Sequence, residues 1–298
     1  MILVTGATGF IGPKVVHALR AEGRNVRCLV RDSRRARARR GRLEAWGCEL
    51  VQGDMTDAAS LRQAVEGCDT VVHLVAIIAG KPADFERVMN QGTRDLVAGA
   101  KEAGARRFVL MSALGTSEET KDLVPYYRAK WAMEQAVGQS GLEHVIFRPS
   151  FVFGKDGGVL PLFVRLVRLL PVTPIVGPGT ERLQPIWVED VAAYFARALD
   201  LAAAANRTFE LGGPEAVTWN ELYARIRKVL GRRRPTVHVP LALMRAQAVL
   251  LERLPRPPVT RDQLTMLAAG DNVVTNAEAV ETFGLPLVPL DEQIRRAA

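Results

Sequence analysis

MILVTGATGFIG, residues 1 to 12, is the stretch whose reading decides the fold. Ile2 to Val4 are apolar without alternation, as a strand covered on both faces requires. Gly6, Gly9 and Gly12 follow, and then VVHALRAEG, in which Val15, Val16 and Leu19 recur at helical spacing. Gly6 allows a tight turn, Gly9 lets the backbone approach a pyrophosphate, and Gly12 lets the helix sit close on its strand. Thr5, Thr8, Phe10 and Ile11 complete the turn, and the helix N-terminus behind it favours an anion. Pro13 suits the first helical turn, where a missing N–H costs nothing. A second apolar strand, Val26 to Val30, arrives at the distance of a βαβ unit, so the turn reads as a dinucleotide-binding one.

Outward from this unit the alternation continues. A third strand spans Glu49 to Gln52, then Gly53-Asp54 and a helix from Ala58 to Val65. Val71 to Ala76 form the next strand, with His73 its one polar residue and a candidate core histidine. A long helix follows in PADFERVMNQGTRDLVAGAKEAG, then the strand RRFVLMSA and a sixth strand in HVIFRPSFVFG. This order implies an α/β fold, a doubly wound parallel sheet, with ligands at the carboxyl ends of the strands. Residues 1–155 are assigned to this nucleotide-binding domain. Residues 156–298 are assigned to a smaller C-terminal lobe, some segments of which, such as Arg207 to Leu211, return to the sheet. In that lobe LPLFVRLVRLLP is apolar on nearly every face, with core as the default and a partner or membrane surface as alternatives. Glu189 and Asp190 are expected as helix caps.

At 298 residues and 48% hydrophobic composition the chain can bury a substantial core. Cys28, Cys48 and Cys68 have no metal-ligand spacing, which suits buried thiols in a reducing compartment and no metal site. With a strand starting at residue 2, the expectation is a cytoplasmic chain without an export leader. The net charge of +8 is concentrated in arginine, with seven of the twelve residues from Arg31 to Arg42. A solvated helix accounts for most of that run, and the missing interleaved aromatics argue against nucleic acid as a partner. Its first members stand where an adenosine ribose would lie. Val30 occupies the position of the usual acidic residue, and Arg31, Arg34 and Arg35 follow, so NADP(H) is expected in preference to NAD(H).

Tyr126 and Lys130 in PYYRAK lie i, i+4 on one helix face. An ammonium there can hold ribose hydroxyls and lower the phenol from its usual value of about 10, making a usable acid. Tyr127 is the competing phenol, without a lysine four residues on.

The set TGATGFIG, GDMTD, VVHLVA, the Asn90 helix and VPYYRAK resembles the extended and atypical short-chain dehydrogenase/reductases. That resemblance implies that Asp54, with Met55, contacts the adenine, although a turn or cap role for Asp54 is the alternative. It also implies that Val75 and Ala76 lie against the cofactor and that Pro149 and Ser150 line the nicotinamide. In catalytic relatives a serine just past the fifth strand completes a Ser-Tyr-Lys set. Here that position falls on Ala113, with Ser112 one residue early and Thr116 or Ser117 within reach from the loop. LVRD, SALG, QPIWVEDVA and VTRDQLTMLAAGDNV further resemble bacterial relatives of the NADPH-binding accessory subunit of respiratory complex I. This implies a place in a membrane-associated protein complex, peripheral to the membrane.

Three functions follow: an NADP(H)-dependent oxidoreductase acting on an unidentified small molecule, a non-catalytic nucleotide-binding structural or sensing subunit, and a sugar-nucleotide epimerase or dehydratase. The missing serine weighs most against the third.

Overall fold

The structure is a computed structural model that describes residues 1–252, 259–275 and 277–298, with side chains left out at residues 34, 35, 250 and 251. The chain divides into two compact units. The first comprises Met1–Pro149, Val188–Leu211 and residues 277–285. It is built on β1 (Ile2–Thr5), β2 (Val26–Val30), β3 (Glu49–Gln52), β4 (Thr70–His73), β5 (Arg107–Met111), β6 (Glu143–Pro149) and the strand Arg207–Leu211. All seven pair in parallel, in the order Arg207–Leu211, β6, β5, β4, β1, β2, β3. The doubly wound α/β sheet expected from the alternation is therefore present. Strand order reverses at β1, whose Ile2 pairs with Val26 on one side and Thr70 on the other, and the crevice beyond the carboxyl ends of β1 and β4 is the ligand position of such sheets.

Burial explains why β1 holds the centre. Leu3 and Val4 are fully buried, as are Val15, Val16 and Leu19 on α1 (Gly12–Ala21). Each such side chain contributes about 1.5–3 kcal/mol. α2 (Arg34–Ala45) carries the arginine run, starts at Ser33, whose hydroxyl accepts from Ala36 N at 3.2 Å, and buries Ala36 and Leu43. α3 (Ala58–Val65) is capped by Asp57. The expected long helix is broken into a short turn, α4 (Pro82–Phe85), a π-helical stretch over Glu86–Gln91, and α5 (Gly92–Glu102). α6 (Pro125–Gly138) carries Tyr126 and Lys130.

The first stretch of this unit runs to Pro149, and the chain rejoins the unit at Val188. Its later segments are held by aromatic packing. Phe147 on β6 lies 4.9 Å from Phe195, 6.0 Å from Tyr194, 6.1 Å from Phe209 and 5.6 Å from Phe283 between ring centroids. Glu189 and Asp190 stand in the first turn of the helix Val188–Arg197, and Glu189 forms an ion pair with Lys14 at 2.7 Å.

The second unit comprises Ser150–Trp187, Gly212–Thr275 and Pro286–Ala298. It contains short strand pairs, among them Thr173–Val176 with Thr236–Val239, and helices including Leu160–Leu169 and Trp219–Val229. The helix Leu160–Leu169 is amphipathic: Leu160, Val164 and Val167 are buried, while Leu162 and Leu169 are exposed. The GDNV motif acquires a physical role here. Asp271 accepts from Arg182 N at 2.7 Å and Arg182 Nε at 2.8 Å, Asn272 N donates to Arg182 O, and Val274 N donates to Gln184 Oε1. Ser150 Oγ lies 2.6 Å from Asn272 Oδ1 and 3.1 Å from its carbonyl oxygen. Among the described residues no helix is long and apolar enough to cross a membrane.

Candidate nucleotide-binding and active site

The glycine turn is closed by Gly9 N donating to Gly6 O at 2.8 Å. Gly6 has φ +77°, and a Cβ there would lie 3.0 Å from the Leu74 carbonyl carbon and 3.1 Å from Val75 N, so Gly6 and Val75 are brought together. A Cβ at Gly12 would overlap Gly6 O and stand 2.7 Å from Ala7 Cα, all backbone that cannot swing aside. Ile11 precedes α1 and offers no side-chain cap. Pro13 brings no N–H, and Lys14 N and Val15 N donate to Ile11 O at 3.0 and 3.2 Å, which leaves the N–H groups of Ile11 and Gly12 ahead of them suited to a pyrophosphate.

Thr5 also begins a buried chain of hydrogen bonds. Its Oγ1 lies 2.6 Å from His73 Nδ1, His73 Nε2 lies 3.0 Å from Thr93 Oγ1, and Thr93 Oγ1 donates to Met89 O at 2.5 Å. These partners assign the tautomer: Thr93 gives its proton to Met89, so it accepts from Nε2–H, and Nδ1 accepts from Thr5. Burial, with the charge of Lys130 adding to it, pushes His73 down to about 3, so the ring is neutral. β4 ends at this histidine, and Leu74, Val75 and Ala76 continue as loop rather than strand.

At the far side of the crevice Val30 is buried and its carbonyl accepts from Gly53 N at 3.1 Å. Arg31 is exposed with Nη1 4.0 Å from Asp54 Oδ2, which brings those two predicted residues together. Asp54 Oδ1 accepts from Thr56 N at 2.9 Å and Thr56 Oγ1 at 2.8 Å, so its turn role is present, and Met55 beside it is buried. The side chains of Arg34 and Arg35 lie outside the described residues. Arg39, which the sequence did not single out, donates from Nη1 to Thr8 O at 2.7 Å and to Gly9 O, linking α2 to the glycine turn. Phe10 is half-buried in the same turn.

Lys130 is fully buried. Its Nζ donates to Met111 O at 2.6 Å and lies 5.9 Å from the Tyr126 ring centroid. Desolvation pulls its pKa down to about 7, with Glu134 opposing. Tyr126 is half-buried and desolvation, then Tyr127, raise its phenol above the ordinary value. That is opposite in direction to the lowering expected, because burial dominates. Tyr127 is more deeply buried, and a Cβ at Gly115 would lie 2.8 Å from its Oη, which marks it as packing beneath the 112–117 loop. Glu134, one turn beyond Lys130, accepts from Arg148 Nε at 2.9 Å and Nη2 at 2.6 Å in a buried fork. The spacing Tyr126, Lys130, Glu134 is i, i+4, i+8, a signal the sequence carried unread.

Ser112 and Thr116 are buried, and neither hydroxyl has a hydrogen-bond partner among the described residues. Ala113, at the usual serine position, is half-buried. Ser117 is consumed in a turn, its Oγ 3.2 Å from Thr120 Oγ1 and accepting from Thr120 N. Pro149 O accepts from Leu114 N at 2.9 Å, tying the end of β6 to this loop. Ser150 belongs to the second unit and its hydroxyl is committed to Asn272.

Residues 2–212 match the NAD dependent epimerase/dehydratase family. The chain belongs to that family. It is 30% identical over 96% of its length, and 73% of the relative's, to NADH dehydrogenase [ubiquinone] 1 alpha subcomplex subunit 9, mitochondrial, of Arabidopsis thaliana. It is 32% identical to the ceramide reductase of Caulobacter vibrioides, over 80% and 74% of the two chains. The NADPH-dependent quinone oxidoreductase of Escherichia coli, solved with NADPH, shares the fold with a TM-score of 0.77 at 21% identity, over 99% and 98% of the chains. The protein is thus an NAD(P)-binding, epimerase/dehydratase-like Rossmann protein of the short-chain dehydrogenase/reductase type, with homologues among complex I accessory subunits.

Proposed function

We propose that the first unit binds NADP(H) in preference to NAD(H) and serves an oxidoreductase acting slowly on a small carbonyl-type substrate. The observation that carries the cofactor reading is the replacement of a carboxylate by Val30, with the Arg31 guanidinium beside Asp54 and Arg39 on the glycine turn. Charge-assisted hydrogen bonds to a 2′-phosphate contribute about 1.5–3 kcal/mol each. Thr8, Gly9, Phe10, Ile11 and Gly12 surround the pyrophosphate, with Asp54 and Met55 at the adenine, Val75, Ala76 and Pro149 toward the nicotinamide, and Lys130 at its ribose. Bound, the cofactor supplies or accepts a hydride. Tyr126 holds the proton given to the substrate oxygen, and the unpartnered hydroxyls of Ser112 and Thr116 are the candidates to hold that oxygen. The chain works on the cytoplasmic side.

A second reading keeps the nucleotide without turnover, as a structural or sensing subunit peripheral to a membrane-associated assembly. It is favoured by alanine at position 113 and by the likeness to a complex I subunit over nearly the whole chain. A sugar-nucleotide epimerase or dehydratase has the least support.

Mass analysis of nucleotide released from the purified protein, with calorimetry of NADPH against NADH, tests the cofactor. NADPH is expected to bind at least tenfold tighter, and Arg31→Ala and Arg39→Ala to narrow that gap. Equal affinities would defeat the reading. Turnover on aldehydes, quinones and sugar nucleotides by wild type, Tyr126→Phe and Ala113→Ser separates the rest: activity lost in Tyr126→Phe supports the enzyme, and activity only in Ala113→Ser supports the subunit.

A further inference from the structure

The helix Leu241–Leu251, LALMRAQAVLL, is apolar at every position except Arg245 and Gln247. Such a helix belongs in a core. Yet of its described side chains, those from Leu241 to Val249, Ala248 alone is buried, and Leu243 and Val249 are each 51% exposed. Between it and the helix Arg261–Ala268 lies a shallow groove of about 390 Å³ lined by Arg245, Ala246, Val249, Arg261 and Thr265.

The segment leading into this helix is cationic. Arg232 and Arg233 are exposed and precede the strand Thr236–Val239, on which Val237 is exposed too. That strand runs parallel to Thr173–Val176, with Thr236 beside Thr173 and Thr173 N donating to Pro235 O at 2.8 Å. The register sets the arginine run at the same end of the pair as the C-terminus of the helix Leu160–Leu169. There Leu169 is 67% exposed and Arg168 is exposed beside it. All these residues belong to the second unit, which carries nearly all of the chain's net charge of +8.

We propose that this surface of the second unit docks on an anionic lipid bilayer. Arg245 and Arg261 line the groove beside Val249, the exposed Arg232 and Arg233 lie in the same unit, and Gln247 is the one uncharged polar side chain of the exposed helix. Such a surface offers a protein partner few directional hydrogen bonds. A bilayer interface takes up both kinds of group, leucine and valine into the acyl boundary and guanidinium at the phosphates. The helix has 11 residues, and no described helix can cross a membrane, so it lies on the surface. The proposal goes beyond the nucleotide reading and is independent of it, while giving the peripheral placement a lipid contact.

The test uses the full-length protein in sedimentation with phosphatidylcholine vesicles, alone or with about a third phosphatidylglycerol. Retention is expected on the anionic vesicles only, reversed by high salt. Arg232→Ala and Arg233→Ala should each weaken it by about fivefold. Leu243→Asp combined with Val249→Asp should weaken it by more than about tenfold, through lost apolar burial. NADPH calorimetry on the same preparations reports whether each variant is folded, and its failure in wild type would count against the cofactor alone. Absence of retention, equal retention on neutral vesicles, or wild-type retention by the Leu243/Val249 variant would overturn the proposal. So would stable binding to an acidic protein partner with no binding to vesicles.

Discussion

Replacing Glu134 by Gln removes one charge from a buried fork while keeping its shape. Glu134 is 4% exposed and Arg148 is 21% exposed, so the guanidinium left behind is only partly able to recruit water. Breaking a buried pair by removing one partner costs about 3–5 kcal/mol, and the partial exposure of Arg148 places the expected loss at the lower end, about 3 kcal/mol. A second effect falls on Lys130. Its charged form is supported by Glu134 against desolvation, and its pKa already sits at about 7. Without the carboxylate it falls further, so at neutral pH the ammonium proposed above to hold the ribose is lost. Denaturant titration measures the first effect, and calorimetry of NADPH from pH 5.5 to 8.5, roughly one to two units about the Lys130 value, measures the second. In wild type, affinity should weaken as pH rises through about 7. In Glu134→Gln the same weakening should appear at lower pH. A stability loss below about 1 kcal/mol, the range of an exposed pair, or an unshifted affinity profile would refute the reasoning. Glu134→Met combined with Arg148→Met controls for packing, since a fork replaced whole by apolar groups is often neutral in stability.

Lys130→Met should raise stability at neutral pH and flatten its pH dependence. The folded value of about 7 lies below the ordinary 10.5, so between them the unfolded chain binds more protons and wild-type stability climbs with pH; an unchanged slope in the variant would count against burial as the cause. Gly12→Ala should cost about 1–3 kcal/mol and at least tenfold in NADPH affinity, because the new Cβ meets only backbone; thermal melts with calorimetry check it, and wild-type values would show that α1 can shift freely. Asn272→Ala should cost about 1–2 kcal/mol and leave NADPH affinity within about twofold, since Asn272 ties Ser150 within the second unit; a large affinity loss would place Ser150 at the cofactor after all.

The doubly wound sheet was legible because its central strands carry short apolar runs, Ile2 to Val4, Val71 to Val72 and Phe108 to Met111, between helical periodicities. Glu49–Gln52, Ala58–Val65 and Arg207–Leu211 have the bounds read from sequence. What escaped were interactions between residues distant in the chain. Arg39 lay within a run that reads as one undifferentiated cationic helix, and only the fold turns that member toward Thr8 and Gly9. The Thr5–His73–Thr93 chain spans three elements, so no local spacing announces it. The direction of the Tyr126 shift was misread for a related reason: i, i+4 spacing reports proximity to Lys130, whereas desolvation depends on everything packed around the ring. The GDNV motif was visible as a motif, and its partners at Arg182 and Ser150 were invisible, being 89 and 122 residues away.

The aromatic cluster around Phe147 has a consequence for synthesis. Phe147, Phe209 and Phe283 reach the ribosome exit in that order, and the three rings are together only once the last has emerged. The nucleotide-binding sheet therefore waits for its own edge strand and then for Phe283, well beyond it in the chain. A nascent chain paused after residue 211 holds all seven strands with part of their covering still unmade. Loss of the segment that carries Phe283, far from the glycine turn in sequence, would be felt as exposure of the sheet edge.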